Sequence, residues 1–143
     1  MIQQYLFEQI EASHPDLPEV ITPSIGYPTL EKVQQVVETY KRDDRRLIGC
    51  FLDQKLLGVI GVELSCLEVT IKHISVLENF RLQGIGKQLI QYAMNYFSMD
   101  TFLAETDRES VGFYRGLGFE CFAVNGKQGP RRYTCRYGKK AKG

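Results

Sequence analysis

This chain is short of several things, and each shortage closes a class of function. No charge of one sign dominates: 18 Lys+Arg stand against 17 Asp+Glu, a net charge of +1. Bulk electrostatics therefore gives no drive toward nucleic acid or a membrane surface. No apolar run approaches the roughly 20 residues of a membrane span. The first ten residues hold Gln3, Gln4 and Glu8 and no basic start, which does not fit a secretory signal. Cys-x-x-Cys pairs are absent. Cys50, Cys66, Cys121 and Cys135 lie far apart in strand-like segments and read as buried free thiols of a reducing, cytoplasmic compartment. His14 and His73 are too few and too isolated for zinc, and no metal is expected. Repeats and low-complexity segments are missing too, apart from the basic tail at residues 139–143, which reads as a solvated end.

What is present fits one domain over residues 1–143. The length suffices for a real core, and the 43% hydrophobic and 24% charged content is ordinary for a globular protein. Pro15, Pro18, Pro23 and Pro28 crowd one stretch and predict an irregular excursion there, after an edge strand over residues 2–7. Thr29 is a plausible N-cap for a helix carrying Leu30, Val33, Val36, Val37 and Tyr40 on one side. Strands are then expected over 46–52 and 55–64, turning at Asp53-Gln54, and over 67–76. An amphipathic helix follows over 85–97, with Ile85, Leu89, Ile90, Ala93, Met94 and Phe97 as its core stripe. A strand over 101–105, a short helix over 110–117 and strands over 120–124 and 131–137 complete the pass, with turns at Asn125-Gly126 and Gly129-Pro130. Strands, helix, strand, helix, strands imply a mixed α/β sheet with helices on its faces.

The most informative stretch is Arg81-Leu82-Gln83-Gly84-Ile85-Gly86, at the turn from an apolar strand into a helix. Two glycines there let successive backbone N–H groups converge on one concavity at a helix N-terminus, where an anion is favoured. A Walker loop would need Ser or Thr after Lys87 and a glycine at position 81; Gln88 and Arg81 stand there. A dinucleotide fingerprint would need a third glycine where Leu89 is. R-x-x-G-x-G remains, a candidate pyrophosphate cradle with Lys87 as an extra cation.

A second segment, Asp107-Arg108-Glu109-Ser110-Val111-Gly112-Phe113-Tyr114-Arg115-Gly116-Leu117-Gly118-Phe119, follows the next apolar run. Together the two resemble the GNAT superfamily of N-acetyltransferases, over roughly residues 45–137. Members carry an R/Q-x-x-G-x-G/A loop for the pyrophosphate of acetyl-coenzyme A and often an N-x-x-A-x-x-F-Y-x-x-x-G-F segment after it. The resemblance implies a mostly antiparallel sheet in which the parallel strands 67–76 and 101–105 splay to admit the cofactor. It implies main-chain contacts from Ile74, Ser75 and Val76 to pantetheine, with the Val76 N–H, at a bulge, aimed at the thioester carbonyl. Arg81, Leu82, Gln83, Gly84, Ile85, Gly86 and Lys87 would hold the pyrophosphate. Asp107 and Ser110 take cofactor-contact positions where the family usually has asparagine and alanine. An ionised aspartate can accept but not donate. Glu78 stands where proline is common.

Acyl transfer to an amine needs a neutral nucleophile, a polarised carbonyl and a protonated leaving thiolate. Tyrosine, with an ordinary pKa of about 10 against about 8.5 for a thiol, keeps its proton at neutral pH. By the resemblance Tyr114 is the acid and also touches the cofactor. Glu63 is the expected base, with Glu68 and His73 as alternatives; Glu105 and Asp107 share a strand face. The expected activity is acetyl transfer from acetyl-coenzyme A to a primary amine on a small molecule, a peptide or protein lysine, or an N-terminus. The alternative is a non-catalytic acyl-coenzyme-A sensor or interaction domain. Residues 8–44, with Tyr27 and Tyr40, would shape the acceptor site, and Glu8, Glu11, Asp16 and Glu19 hint at a cationic acceptor. The resemblance also admits a homodimer, with the last strand and the exposed aromatics Tyr133 and Tyr137 as contributors.

Overall fold

The computed structural model describes residues 4–124 and 132–138. The turns expected at Asn125-Gly126 and Gly129-Pro130 lie outside these residues, as does the basic tail. The chain runs β1 (Leu6–Ile10), α1 (Leu17–Ile21), α2 (Leu30–Thr39), β2 (Arg45–Leu52), β3 (Lys55–Leu64), β4 (Glu68–Val76), α3 (Ile85–Phe97), β5 (Thr101–Asp107), α4 (Val111–Gly116), β6 (Glu120–Val124) and β7 (Arg132–Gly138). One seven-stranded sheet has the order β1-β2-β3-β4-β5-β7-β6. Each neighbouring pair is antiparallel except β4 and β5.

Local chemistry explains most elements. Asp53 and Gln54 both take positive φ, 49° and 68°, as a two-residue hairpin turn matched to strand twist requires. The Thr29 side chain accepts from the Lys32 N–H and starts α2. The proline-rich stretch is more ordered than its composition predicts. Pro18 falls in the first turn of α1, where a missing N–H costs nothing, and Leu17, Val20 and Ile21 bury completely. The edge strand lies at Leu6–Ile10, later than expected, since its pairing with Leu47–Phe51 fixes it.

Two cores flank the first four strands. On one face α1 and α2 pack Leu17, Val20, Ile21 and Val33 against Leu47, Leu56 and Val59. On the other α3 and α4 pack Ile85, Leu89, Ile90, Ala93 and Val111 against Ile48, Ile60, Val62 and Phe102. Each such side chain stabilises the fold by about 1.5–3 kcal/mol when fully buried. Among the described residues the β5-β7-β6 half is covered by helices on the α3/α4 face alone. On its other face Glu105 stands beside Thr134 and Phe122, and Asp107 beside Arg132 and Val124, with Phe122 and Val124 exposed. Tyr133 and Tyr137, expected on the surface, are half-buried against the α3/α4 core. Cys50 and Cys135 are buried thiols as expected, but Cys121 is half-buried and Cys66 is exposed in the β3–β4 turn. Among the described residues no helix is long and apolar enough to cross a membrane.

Candidate active site

The parallel ladder between β4 and β5 joins only Glu68–Ile71 to Thr101–Ala104. Both strands continue, β4 to Val76 and β5 to Asp107, without pairing each other. The result is a V-shaped gap. A cavity of ≈ 360 Å³ occupies it, lined by Ile71, Lys72, His73 and Ile74 from β4, Glu105, Thr106 and Asp107 from β5, Ser110, Phe113 and Tyr114, with Pro23, Ser24 and Arg132 at its rim. A larger hollow of ≈ 480 Å³ beside the turn after α2 lies away from the glycine loop.

Backbone direction along β4 follows from one bond. The Leu77 N–H bonds the Leu57 carbonyl, and Val59 pairs with Ser75 and Gly58 with Val76. By alternation the Ser75 main chain is committed to β3, while the Ile74 and Val76 N–H groups face the gap. Of the three residues for which the resemblance implies pantetheine contacts, Ile74 and Val76 thus turn their N–H groups toward the gap and Ser75 does not. Ser75 contributes a buried hydroxyl without a partner among the described residues. The bulge in β4 falls at Lys72, between the pairs Val62–Ile71 and Gly61–His73, and not at Val76. Arg81 Nε donates to the Val76 carbonyl at 3.0 Å, tying the glycine loop to the end of the strand.

Gly84 occupies the N-cap of α3 at φ +80°, and Leu82 is also left-handed at φ +65° with its side chain fully exposed. The first bond of the helix runs from Gln88 N–H to Gly84 carbonyl at 3.0 Å, which leaves the preceding N–H groups open to an anion. No carboxylate stands in this first turn. Gln83 accepts from Tyr5 Oη at 2.8 Å, and Lys87 is exposed beside the loop. A Cβ on Gly86 would lie 3.5 Å from Phe113, so this glycine brings the loop against the wall of the gap.

On the far wall Asp107 Oδ1 accepts from the Ser110 N–H at 2.9 Å and so starts α4. That helix turns Tyr114 inward, packed edge-on against Phe113 and Phe119 at 5.4 Å. Burial, with Cys135 and Cys121 nearby, pushes the Tyr114 phenol up to about 12. It stays protonated across the physiological range, and the residue lines the gap.

The carboxylates divide. Glu105 and Asp107, expected to share a strand face, both line the gap. Glu63 does not: it stands opposite Thr70, where the sheet is still closed, and binds Arg45 at 3.0 Å and Arg42 at 3.9 Å. Nor do Glu8, Glu11, Asp16 and Glu19 reach the gap; from the early segment its lining takes Pro23 and Ser24. His73 lines the gap and was named only as an alternative; Tyr40 Oη lies 2.6 Å from its Nδ1. Burial, Arg45 and Lys72 lower the His73 pKa to about 4. Burial raises the Tyr40 phenol above its ordinary range, Arg45 opposing. This contact spans 33 residues of sequence and depends on strand register, so no local signal announces it. Among the described residues no group of three or more His, Cys, Asp or Glu could hold a metal ion.

Known proteins share this arrangement. A family model for the acetyltransferase (GNAT) domain matches residues 43–121, more than half of the chain. An uncharacterized N-acetyltransferase in the lysA 3′ region of Bacillus methanolicus is 39% identical over 64 residues, 43% of this chain and 53% of the relative. UPF0157 protein YqkA of Bacillus subtilis (strain 168) is 26% identical over 103 residues, 69% of this chain and 30% of the relative. The chain thus spans about half of the first relative and under a third of the second. Among solved structures, a Bacillus subtilis acetyltransferase in complex with CoA superposes with TM-score 0.75 at 16% identity, covering 96% of this chain and 100% of that one. An aminoglycoside 6′-N-acetyltransferase complexed with coenzyme A gives TM-score 0.79 at 14% identity, covering 94% and 96%. The fold is shared with these structures, and by the family model over residues 43–121 the chain belongs to the GNAT acetyltransferases.

Proposed function

We propose that this domain transfers an acetyl group from acetyl-coenzyme A to a primary amine. The observation that carries the reading is a parallel ladder that stops after Ile71 while both strands run on, beside an uncapped helix N-terminus. An extended pantetheine arm fits between such strands as a borrowed strand, taking bonds from the Ile74 and Val76 N–H groups. The pyrophosphate then falls at Gly84 to Lys87, with Arg81, Leu82 and Gln83 shaping the approach. Asp107 and Ser110 flank the arm on the opposite wall. The coenzyme A held by the structural relatives supports this placement.

The neutral amine attacks the thioester carbon, and the carbonyl oxygen takes on charge. The amine nitrogen sheds one proton. Glu105, on the gap and free of the ion pairs that occupy Glu63, is the carboxylate we assign to receive it and pass it to water. As the carbon–sulfur bond breaks, Tyr114 donates to the departing sulfur, which leaves as the free thiol once protonated; solvent restores the phenol. The acceptor is a small amine, or a lysine or N-terminus presented at the mouth of the gap.

Thermal unfolding with acetyl-coenzyme A, set against ATP and NADH, tests the cofactor. Ligand at a hundred times its Kd adds about 2.7 kcal/mol of stability. A shift with acetyl-coenzyme A alone supports the site, and thiol release with a panel of amines then tests transfer. An equal shift with ATP, or none, removes the reading. Binding without thiol release from any amine favours the sensor alternative.

A further inference from the structure

Tyr40, at the C-terminal end of α2, is buried with its phenol laid across Gly61 on β3. A Cβ at Gly61 would overlap the Tyr40 hydroxyl, so the glycine makes the slot. Gly61 is the register partner of His73, and the slot delivers the hydroxyl to His73 Nδ1 at 2.6 Å, ring centres 5.7 Å apart and edge-on. Arg45 lies 5.5 Å from the Tyr40 ring centre and is itself held by Glu63 at 3.0 Å. Among the described residues His73 Nδ1 is the one hydrogen-bond partner of this buried phenol, so the phenol proton goes to the Nδ1 lone pair and is not left unpaired.

We infer that Tyr40 holds His73 as a neutral imidazole with its proton on Nε2, so that His73 enters the gap as a hydrogen-bond donor to the acceptor molecule and not as a base. The deduction rests on the transferase reading for its function, but not for its geometry. Tyr40 is absent from the lining of the gap, whereas His73 belongs to it, so Nδ1 faces the phenol and Nε2 is the edge left for a ligand. The charged groups around the ring agree: Arg45 from β2 and Lys72 from β4 are both cations and both oppose a second proton. An N–H donor with Lys72 and Arg132 on the same rim fits an acceptor that carries a carbonyl or carboxylate oxygen close to its amine, as amino acids and peptide N-termini do. Tyr40 is the positioning residue.

With His14 the only other histidine, ring nitrogen shifts assign readily. At pH 7 the full chain should show the His73 Nδ1 unprotonated and Nε2 protonated as one tautomer. Tyr40→Phe, and separately Gly61→Ala, should release it to a tautomer mixture. A proton on Nδ1, or a mixture already in the parent protein, overturns the inference whether or not the chain turns over. Kinetics with glycinamide and n-propylamine, rates taken per neutral amine, test the role. His73→Leu should raise the glycinamide KM about tenfold and abolish its advantage over propylamine, with His73→Gln, which keeps an N–H donor, recovering part. Loss of kcat with the acid limb of the pH profile displaced, in Leu and Gln variants alike, would make His73 the base and sink the proposal. Absence of an acetyl-coenzyme A thermal shift would instead strike the transferase reading and leave the tautomer to the nitrogen shifts.

Discussion

The halves of the sheet on either side of the gap follow different rules. β2 buries five residues in succession and β3 seven, because helices cover both of their faces. β6 buries none, and β5 alternates, because among the described residues no helix lies on one face of that half. The doubly covered half is a rigid reference against which β4 and its N–H groups are held. The other half trades packing for access: its uncovered face carries Glu105 and Asp107 to the mouth of the gap. In the proposed mechanism the chemistry sits on the seam, with the glycine loop and His73 from one side and Tyr114 from the other.

The sharpest way to break this contrast is by truncation. Ile60→Ala, in the doubly covered half, should cost about 2–5 kcal/mol in urea unfolding, whereas Phe122→Ala on the open face should stay within about 0.5 kcal/mol. Equal costs would mean that the open face is not open. Next in size, Tyr114→Phe should lower turnover about 10²-fold or more while acetyl-coenzyme A still shifts the melting temperature. Unchanged turnover would take Tyr114 out of the reaction and leave it as packing. The two loop glycines sharpen the seam itself. Gly84→Ala forces a side chain into φ +80° and should cost about 1–2 kcal/mol and weaken cofactor binding. Gly86→Ala meets Phe113 at an ordinary 3.5 Å within a helix, and should be neutral or slightly stabilising in the same melts.

The remaining effect is on pH. His73 titrates near 4 in the folded chain against 6.5 ordinarily, so between these values the unfolded chain binds more protons. The stability this difference contributes is full above pH 6.5 and drains as pH falls toward 4. Urea midpoints followed over that window should fall less steeply in His73→Gln. A parallel decline in both proteins would show that His73 is not the residue responsible.

Legibility in the sequence followed the range of the interactions. The 55–64 strand and the 85–97 helix could be read directly, since alternation, apolar periodicity and a two-residue turn are local. α1 was hidden because Pro15 and Pro18 read as breakers, although a first-turn proline is harmless. The glycine loop and the Phe113-Tyr114 pair were visible as motifs. Glu63 was plausible as a base only while its partner was unknown: Arg45 meets it across two strands, and the end of the ladder at Ile71 leaves it on closed sheet. Tyr40, Gly61 and His73 needed both strand register and the end of α2 to come together.

Four rungs of parallel ladder are also the narrowest waist of the sheet. Without an occupant in the gap, that waist is where two cooperative blocks can part, and sub-global opening should begin there. A ligand arm lying between the strands would act as a splint. Its arrival should be recorded as slowed amide hydrogen exchange at Ile74 and Val76 and, by transmission across the seam, along β5 and β7, far beyond the atoms it touches.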